Sequence, residues 1–335
     1  MTAPEQFQAG PNDAEVRVDR LLRKLLKDVP LSHIYRMLRT GKVRVNGKRV
    51  KSNYRVQPGD EIALPRREGR EGRQGREDRS AAAGTPGAVD REDLDIVHED
   101  EHILVVNKPA GMVTHGSDSL EDRVRAYLQR VLPKDLGFRP GPLHRLDRNS
   151  SGAIAFSRSI HGARAFSSLL RKNAVRKVYL SVLSGPLVET QRWDFPLRRH
   201  GEGTGSYHDE EGKPARTWVF PVKSVELTGE KGAPYPPGRY SLAVFRISTG
   251  RTHQIRVHAA TAGHPLVGDT RYGGPRAAGG MLLHAWLLSY ADPEGPLGER
   301  RLEAPLPPAA LERIRAAFGG EAIAAARDAA WRALD

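Results

Sequence analysis

The spacing of apolar residues near the start of the chain predicts two short helices. Residues 16–27 carry valines and leucines at the spacing of one helical stripe, with arginines and lysines between them. Pro30 ends this helix, and Ser32 is a candidate N-cap for a second helix that Gly41 terminates. Two amphipathic helices of this length need a sheet or further helices to cover their apolar faces.

A small sheet is predicted to follow these helices. Residues 43–50 alternate between apolar and polar side chains around an Asn-Gly pair, which is a strong signal for a two-residue hairpin turn. We therefore expect a compact α/β module over residues 15–65. Residues 1–14 are polar and lack periodicity, so we expect a disordered N-terminus there.

The pattern disappears between residues 66 and 91. Arg, Glu, Gly, Ser and Ala dominate this stretch, and large apolar side chains are almost absent. Such a composition cannot bury enough surface to fold alone. We interpret 66–91 as a flexible, charged linker between two domains.

Apolar runs return from residue 92 onward and predict a larger domain over 92–320. Short strand patterns, such as 103–106 and 153–156, mix with helical patterns such as 252–262 without regular βαβ spacing. This irregular mixture favours an α+β architecture. Residues 321–335 are rich in alanine and are expected to form a C-terminal helical tail.

Charge adds a nucleic-acid hypothesis to this picture. The chain of 335 residues has a formal net charge of +13, and residues 16–55 hold thirteen Lys and Arg against two acidic residues. Such a cluster points to nucleic acid or an anionic membrane, although a merely solvated basic surface is an equal alternative. Cysteine is absent, which excludes disulfides and thiolate chemistry. Neither a secretory signal nor a membrane-length apolar run is visible, so we expect a cytoplasmic protein that does not bind membranes.

Two dense polar clusters are candidates for chemistry. The first reads His-Arg-Leu-Asp-Arg-Asn-Ser-Ser-Gly over residues 144–152, and the second reads Arg-Thr-His-Gln-Ile-Arg-Val-His over 251–258. Asp147 lies on a connector between apolar runs, flanked by two arginines. On its own, an aspartate here more often stabilises a turn. Neighbouring cations, however, favour the ionised form that a nucleophile or general base requires.

The order of these clusters resembles that of a known enzyme family. His-Arg-Leu-Asp at 144–147 with Ser-Gly at 151–152 resembles the defining motif of the RluA-type pseudouridine synthases. The segments at 251–258 and 263–269, Lys-Pro-Ala-Gly at 108–111 and Lys-Val-Tyr at 177–179 resemble further motifs of that family, in the family's order. Residues 16–64 resemble the S4 RNA-binding domain that many members carry. One departure is Ser150, where the usual pattern has threonine beside the serine.

The resemblance implies a fold, a reaction and catalytic residues. The fold would be a mixed, mainly antiparallel sheet domain with a small N-terminal S4-like α/β domain. The reaction would convert uridine in RNA to pseudouridine without a cofactor or metal. Asp147 would be the essential aspartate, which either attacks C1′ or removes a ribose proton. Tyr179 would pack on the uracil and take part in proton transfer, and Arg251 would pair with the catalytic carboxylate.

The resemblance also implies binding roles. Ile255 would cover the base, Arg145 would enter the space that the extruded base leaves, and His144 and Lys177 would support the substrate. The S4-like module would bind RNA through exposed basic residues, for which the candidates are Arg36, Arg39, Lys42, Arg44, Lys48 and Arg49.

Three functions fit these patterns. The first is a pseudouridine synthase acting on large-subunit ribosomal RNA as a monomer, without an obligatory protein partner. The second is a non-catalytic RNA-binding protein on the same scaffold. The third is a nucleoside hydrolase that uses the carboxylate to release free base.

Overall fold

The computed structural model describes residues 4–65, 89–201, 205–229 and 232–334. A small N-terminal module and a larger domain make up this part of the chain. Among its helices, none is long and apolar enough to cross a membrane.

The N-terminal module is a four-stranded antiparallel sheet with two helices. Its strands have the order β1-β4-β2-β3. The elements are β1 (Glu5–Gln8), α1 (Val18–Leu25), α2 (Leu31–Arg39), β2 (Arg44–Val45), β3 (Lys48–Arg49) and β4 (Glu61–Leu64). The expected hairpin is present: Asn46 and Gly47 form the turn between β2 and β3, with φ angles of 50° and 72°. Ser32 is not the N-cap, because α2 begins at Leu31 with Pro30 at the cap position.

The prediction of a disordered N-terminus is wrong for residues 4–14. Strand β1 pairs with β4 from Glu5 to Gln8 and completes the edge of the sheet. A short 3-10 turn, Pro11–Asp13, follows it. Alternating half-buried and exposed side chains in β1 gave too weak a pattern to predict a strand, since only Phe7 packs against the apolar core of the module.

The larger domain is built on a nine-stranded sheet. Along the sheet the order is β5-β6-β7-β14-β8-β13-β12-β9, with β15 paired to β14. Among the described strands, only β7 and β14 run parallel to each other, so the sheet is mainly antiparallel. Its strands are β5 (Ile96–Glu99), β6 (Ile103–Lys108), β7 (Ser151–Ser157), β8 (Val175–Ser184), β9 (Gln191–Trp193), β12 (Thr217–Leu227), β13 (Gly238–Ile247), β14 (Leu283–Asp292) and β15 (Gly298–Glu303).

In the described part of the larger domain, five α-helices and a separate hairpin accompany this sheet. The helices are α3 (Leu120–Val131), α4 (Ile160–Arg171), α5 (Gln254–Thr261), α6 (Pro308–Phe318) and α7 (Ala322–Arg332), and the hairpin consists of β10 (Leu197–Arg199) and β11 (Ser206–His208). Helix α5 contacts both β11 and β12. The mixed α+β architecture therefore agrees with the prediction from the sequence.

Two expected domain boundaries differ in the structure. Val89 is buried in the apolar core of the larger domain, so residues 89–91 belong to that domain rather than to a linker; residues 66–88 lie outside the described part. At the other end, α7 is not a separate tail. Its alanines lie at helical spacing and are buried against the sheet, where small side chains allow close packing.

A buried carboxylate joins the two modules. Asp13 is fully buried and accepts hydrogen bonds from the backbone N–H groups of Leu136 and Gly137, each at 2.7 Å, and from that of Gly10 at 2.9 Å. Beside it, Asn12 donates from its side chain to Asp135 at 2.8 Å. We call residues 10–13 and 134–137 together the inter-module latch. The N-terminal module is thereby fixed to the segment that leads into residues 144–152.

Replacing Asp13 with Ala should weaken the latch. Three backbone N–H groups would lose their acceptor, and an unsatisfied buried group costs about 1–3 kcal/mol. We expect the free energy of unfolding to fall by about 2–4 kcal/mol, measured by urea denaturation. Asp28→Ala removes an exposed carboxylate of the same module and should change it by less than about 0.5 kcal/mol. Equal stability of the two variants would contradict the latch.

Candidate active site

Asp147 lies on the connector between α3 and β7, and its neighbour holds the connector in place. Leu146 is buried in the core of the larger domain. The Thr114 hydroxyl donates to the carbonyl of Leu146 at 3.0 Å and accepts from its N–H at 3.4 Å. Because both polar groups of Leu146 are satisfied, the backbone beside Asp147 is fixed.

A buried lysine supports the other side of Asp147. Lys108 has no exposed surface, and its Nζ donates to the carbonyls of Pro109, Met112 and Arg148 at 2.8, 2.8 and 3.1 Å. Burial lowers the pKa of Lys108 to about 8, although the charge of Asp147 opposes this effect. The Lys-Pro-Ala-Gly segment therefore supports the connector that carries Asp147.

Gly152 allows this connector to enter the sheet. Its φ is +108°, and a Cβ there would lie 2.2 Å from the carbonyl oxygen of Ala285. Only glycine fits where β7 begins its parallel pairing with β14. This close approach of Ala285 explains why the cluster at 144–152 ends in glycine.

One persistent positive charge faces the Asp147 carboxylate. Nη1 of Arg256 and Nε2 of His253 each lie 3.8 Å from Oδ2 of Asp147. Burial lowers the pKa of His253, so at neutral pH the imidazole is mainly uncharged. Burial also opposes the charge on Arg256, but its bonds to Asp269 and the charge of Asp147 outweigh this and raise its pKa. Arg256 is therefore a lasting cation beside Asp147.

Arg256 is itself held by a second carboxylate. Its Nε and Nη2 donate to the two oxygens of Asp269, both at 2.7 Å, and both side chains are buried. Such a bidentate pair fixes the plane of the guanidinium. The remaining Nη1 is the group that faces Asp147.

The expected ion pair between Arg251 and Asp147 is not formed. Nε of Arg251 donates instead to the carbonyl of Pro214 at 3.1 Å, and Arg251 is exposed. Arg251 precedes the first turn of α5, whereas Arg256 lies within that helix. Arg251 nevertheless lines the same cavity as Asp147.

Tyr179 and Ile255 lie in that cavity, which measures about 410 Å³. Both side chains are almost fully buried. Burial and the charge of Asp147 raise the pKa of Tyr179. Asp147, Tyr179 and Ile255 thus converge on a space suited to a small planar ligand.

His144 and Lys177 line the same cavity. Nε2 of His144 accepts from the N–H of Ala155 at 3.1 Å, and its ring stacks on Phe166. Burial, aided by the charge of Lys177, lowers the pKa of His144 to about 3, so this ring is neutral at physiological pH. Burial also lowers the pKa of Lys177. The two residues are placed beside the cavity, and His144 is fixed by the fold.

Arg145 lies between this cavity and a second cleft. Its side chain is exposed and lines both spaces, the second of which measures about 920 Å³. Arg148, Arg199 and Arg271 also line that cleft. A polyanion could follow this cationic surface up to Asp147.

The basic residues predicted for RNA binding lie on the N-terminal module. They are all exposed: Arg36, Arg39, Lys42, Arg44, Lys48 and Arg49. They lie on α2, on the hairpin of β2 and β3, and on the turn that joins these elements. None of them lines the cavity around Asp147.

Arg256, Asp269 and Thr114 are site residues that we did not predict. Arg256 and Asp269 both occur in sequence segments already singled out, but thirteen residues separate them and only the fold shows that they pair. Thr114 carries no local pattern, since its partner Leu146 lies thirty-two residues away. Alternation along β8 did place Lys177 and Tyr179 on one face, as both line the cavity.

Comparisons with known proteins agree with this geometry. The family model for RNA pseudouridylate synthase matches residues 102–261, and the S4 domain model matches residues 16–62. Ribosomal large subunit pseudouridine synthase C of Escherichia coli K12 is 34% identical over 317 residues, which cover 88% of this chain and 91% of that protein. The protein of the same name from Buchnera aphidicola is 31% identical over 83% of this chain and 86% of its own length.

A solved structure shows the same likeness in three dimensions. Human RNA pseudouridylate synthase domain containing 1 has a TM-score of 0.52 and 25% identity, covering 66% of this chain and 86% of that one. Together with relatives above 30% identity over most of both chains, these matches show that the chain belongs to the RNA pseudouridylate synthase family.

Proposed function

We propose that this RNA pseudouridine synthase isomerises uridines of large-subunit ribosomal RNA, with Asp147 as the catalytic group. The substrate follows from the names of its relatives and from the S4 module that precedes the catalytic domain. The observation that carries the proposal is the convergence of Asp147, Tyr179 and Ile255 on one cavity, with Arg256 beside the carboxylate. The cytoplasmic location and the monomeric state stay predictions.

The reaction exchanges one glycosidic bond for another. The bond between N1 and C1′ breaks, the uracil turns within the cavity, and C5 bonds to C1′; C5 then loses its proton and N1 ends protonated. Asp147 serves either by attacking C1′ or by removing a proton from the ribose. Both roles require a carboxylate held close to the sugar, which the fixed backbone at Leu146 and Arg148 supports.

Tyr179 and Ile255 enclose the base in this proposal. A raised pKa keeps the Tyr179 phenol protonated at neutral pH, so it begins the cycle as a hydrogen-bond donor and a packing surface rather than as a base. Tyr179 can take part in proton transfer at C5 only later in the cycle. This role requires the proton on C5 to become more acidic once C5 has bonded to C1′. Ile255 supplies an apolar wall that excludes water.

The arginines and the remaining cavity residues bind the substrate. Arg145, exposed between the two clefts, is placed to fill the space left by the extruded base. Arg251 is bound to a carbonyl rather than to Asp147, so we assign it to the substrate's phosphate or sugar. His144 and Lys177 border the cavity and position the bound nucleotide.

Asp147→Asn should abolish turnover and preserve RNA affinity. The amide keeps the size of the side chain but is neither a nucleophile nor a base of useful strength. The measurements are tritium release from RNA labelled with [5-³H]uridine, free uracil, and the dissociation constant. Asp118→Asn changes an exposed carboxylate and should leave all three unchanged. Turnover by Asp147→Asn would refute the proposal, and free uracil from the unaltered enzyme would indicate a hydrolase.

Replacing Lys42, Arg44 and Lys48 with Gln should flatten the salt dependence of RNA binding. Each lost phosphate contact removes about 0.9 from the slope of log affinity against log salt. We therefore expect the slope to become shallower by about two to three. A matched variant that replaces Arg301, Arg315 and Arg332 with Gln loses the same charge elsewhere and should keep the original slope. Equal slopes would show that the module does not bind RNA through these residues.

Thr114→Val should lower kcat more than it changes KM. Valine keeps the shape but removes the hydroxyl that fixes the backbone at Leu146, so Asp147 would be misplaced. Misplacement of a catalytic group costs up to about a hundredfold in rate, and we expect a fall of about tenfold or more in kcat. Steady-state kinetics test this, with the exposed Thr261→Val as the control. A change confined to KM would count against a positioning role.

A further inference from the structure

An exposed tyrosine on the N-terminal module lies next to an arginine that shares its anchor. Tyr35 on α2 is 41% exposed. Its hydroxyl donates to Oδ2 of Asp19 at 3.3 Å. Arg17 contacts the same carboxylate, with Nη2 at 2.7 Å from Oδ2 and Nε at 3.1 Å from Oδ1. Arg17 and Tyr35 are therefore held side by side.

Asp19 serves as an anchor for this pair. Its side chain is only 5% exposed, whereas that of Arg17 is 40% exposed. Asp19 also accepts from the backbone N–H of Arg20 at 2.8 Å. The bidentate contact uses Nε and Nη2 of Arg17, so the donors of Nη1 are left to face a ligand. A fixed guanidinium loses less entropy when it binds a phosphate.

Further basic side chains lie on the same module as the exposed ring. Arg17 is bridged to Arg55 across the antiparallel backbone, and Arg20, Arg39 and Lys51 are exposed on the same small module. An aromatic face combined with cations is the combination that binds single-stranded nucleic acid, since bases stack on the ring and phosphates meet the cations. If Tyr35 instead contacted an apolar surface of another protein, that contact would extend to Leu31, which is exposed and lies one helical turn before Tyr35.

We propose that Arg17 and Tyr35 form a nucleotide site in which an unpaired RNA base stacks on Tyr35 and an adjacent phosphate binds Arg17. Asp19 is a positioning residue of this site. The site would recognise unpaired nucleotides next to an RNA duplex. Phosphate contacts alone cannot distinguish unpaired from paired nucleotides. The inference rests on the proposed function, in that it takes RNA as the ligand of the module.

The test compares two RNA probes with the full-length protein. One is a short hairpin with a single-stranded tail, and the other is the same hairpin without the tail. Tyr35→Ala should weaken binding of the tailed probe about tenfold, leave the tail-free hairpin within about twofold, and leave the salt slope unchanged, because tyrosine is uncharged. Tyr35→Phe keeps the ring and Leu31→Ala keeps the site, so both should stay within about twofold of the original affinity.

Asp19→Asn separates positioning from simple electrostatics. The substitution adds one unit of positive charge to the module, which on charge alone would tighten RNA binding. Our proposal expects weaker binding of the tailed probe, since Arg17 loses the charged partner that fixes its guanidinium. Asp28→Asn adds the same charge at an exposed position and should bind as tightly as the original protein or tighter. Thermal unfolding shows whether each variant is folded.

Three outcomes would overturn the site. They are unchanged affinity in Tyr35→Ala, an equal loss in Leu31→Ala, which would indicate an apolar docking surface, or tighter binding in Asp19→Asn. If Asp19→Asn does not fold, the Tyr35 variants decide alone. Tritium release by the unaltered enzyme is measured in parallel. If the enzyme turns over but Tyr35→Ala binds RNA as tightly as the original protein, only this site is rejected. If the enzyme does not turn over but the variants show the expected losses of affinity, only the proposed function is rejected.

Discussion

In the proposed mechanism, the catalytic carboxylate belongs to a chain of three charged side chains. Asp269 fixes the guanidinium of Arg256 through two hydrogen bonds of 2.7 Å, and Arg256 faces Asp147 at 3.8 Å. A buried cation without a carboxylate partner is costly, and so is a carboxylate without a cation. Because Asp269 already pairs with Arg256, the guanidinium would keep a carboxylate partner during the proposed reaction, in which Asp147 loses its charge. The contact of Arg256 with Asp147, at 3.8 Å, is longer than its contacts with Asp269, at 2.7 Å. This difference fits the proposal that Asp147 reacts while Asp269 positions Arg256.

Two buried side chains hold the backbone in which these charges are set. Lys108 donates to three carbonyls, one of them next to Asp147, and Thr114 satisfies the backbone on its other side. Gly152 then lets the chain turn directly into the central sheet. The cavity therefore owes its shape to a connector whose backbone groups on both sides of Asp147 are bonded. This preorganisation supports the proposed role of Asp147, because a carboxylate held in place needs little reorganisation to act.

The sequence predicted well those features that local patterns encode. The hairpin at 43–50, the α+β mixture and the cavity position of Asp147, Tyr179 and Ile255 all agree with the structure. Features that depend on contacts between residues distant in the sequence were harder to predict. Which arginine faces Asp147 depends on where α5 begins and on the partner Asp269, so Arg251 was a wrong choice. The ordered N-terminus was missed because β1 and Asp13 acquire their roles only through partners about 55 and 120 residues away.

The inter-module latch determines which residues the contact between the two modules requires. Asp13 binds the backbone N–H groups of residues 136 and 137, and the second position needs glycine, because a Cβ there would lie 2.8 Å from Cδ1 of Leu21 and 3.1 Å from Oδ1 of Asp13. The contacts of the latch are made by residues 10–13 and 134–137, so they do not use residues 66–88, which lie outside the described part. Evolutionary constraint should instead fall on Asp13 and on the length of 134–137, where a single deletion would shift both modules out of register.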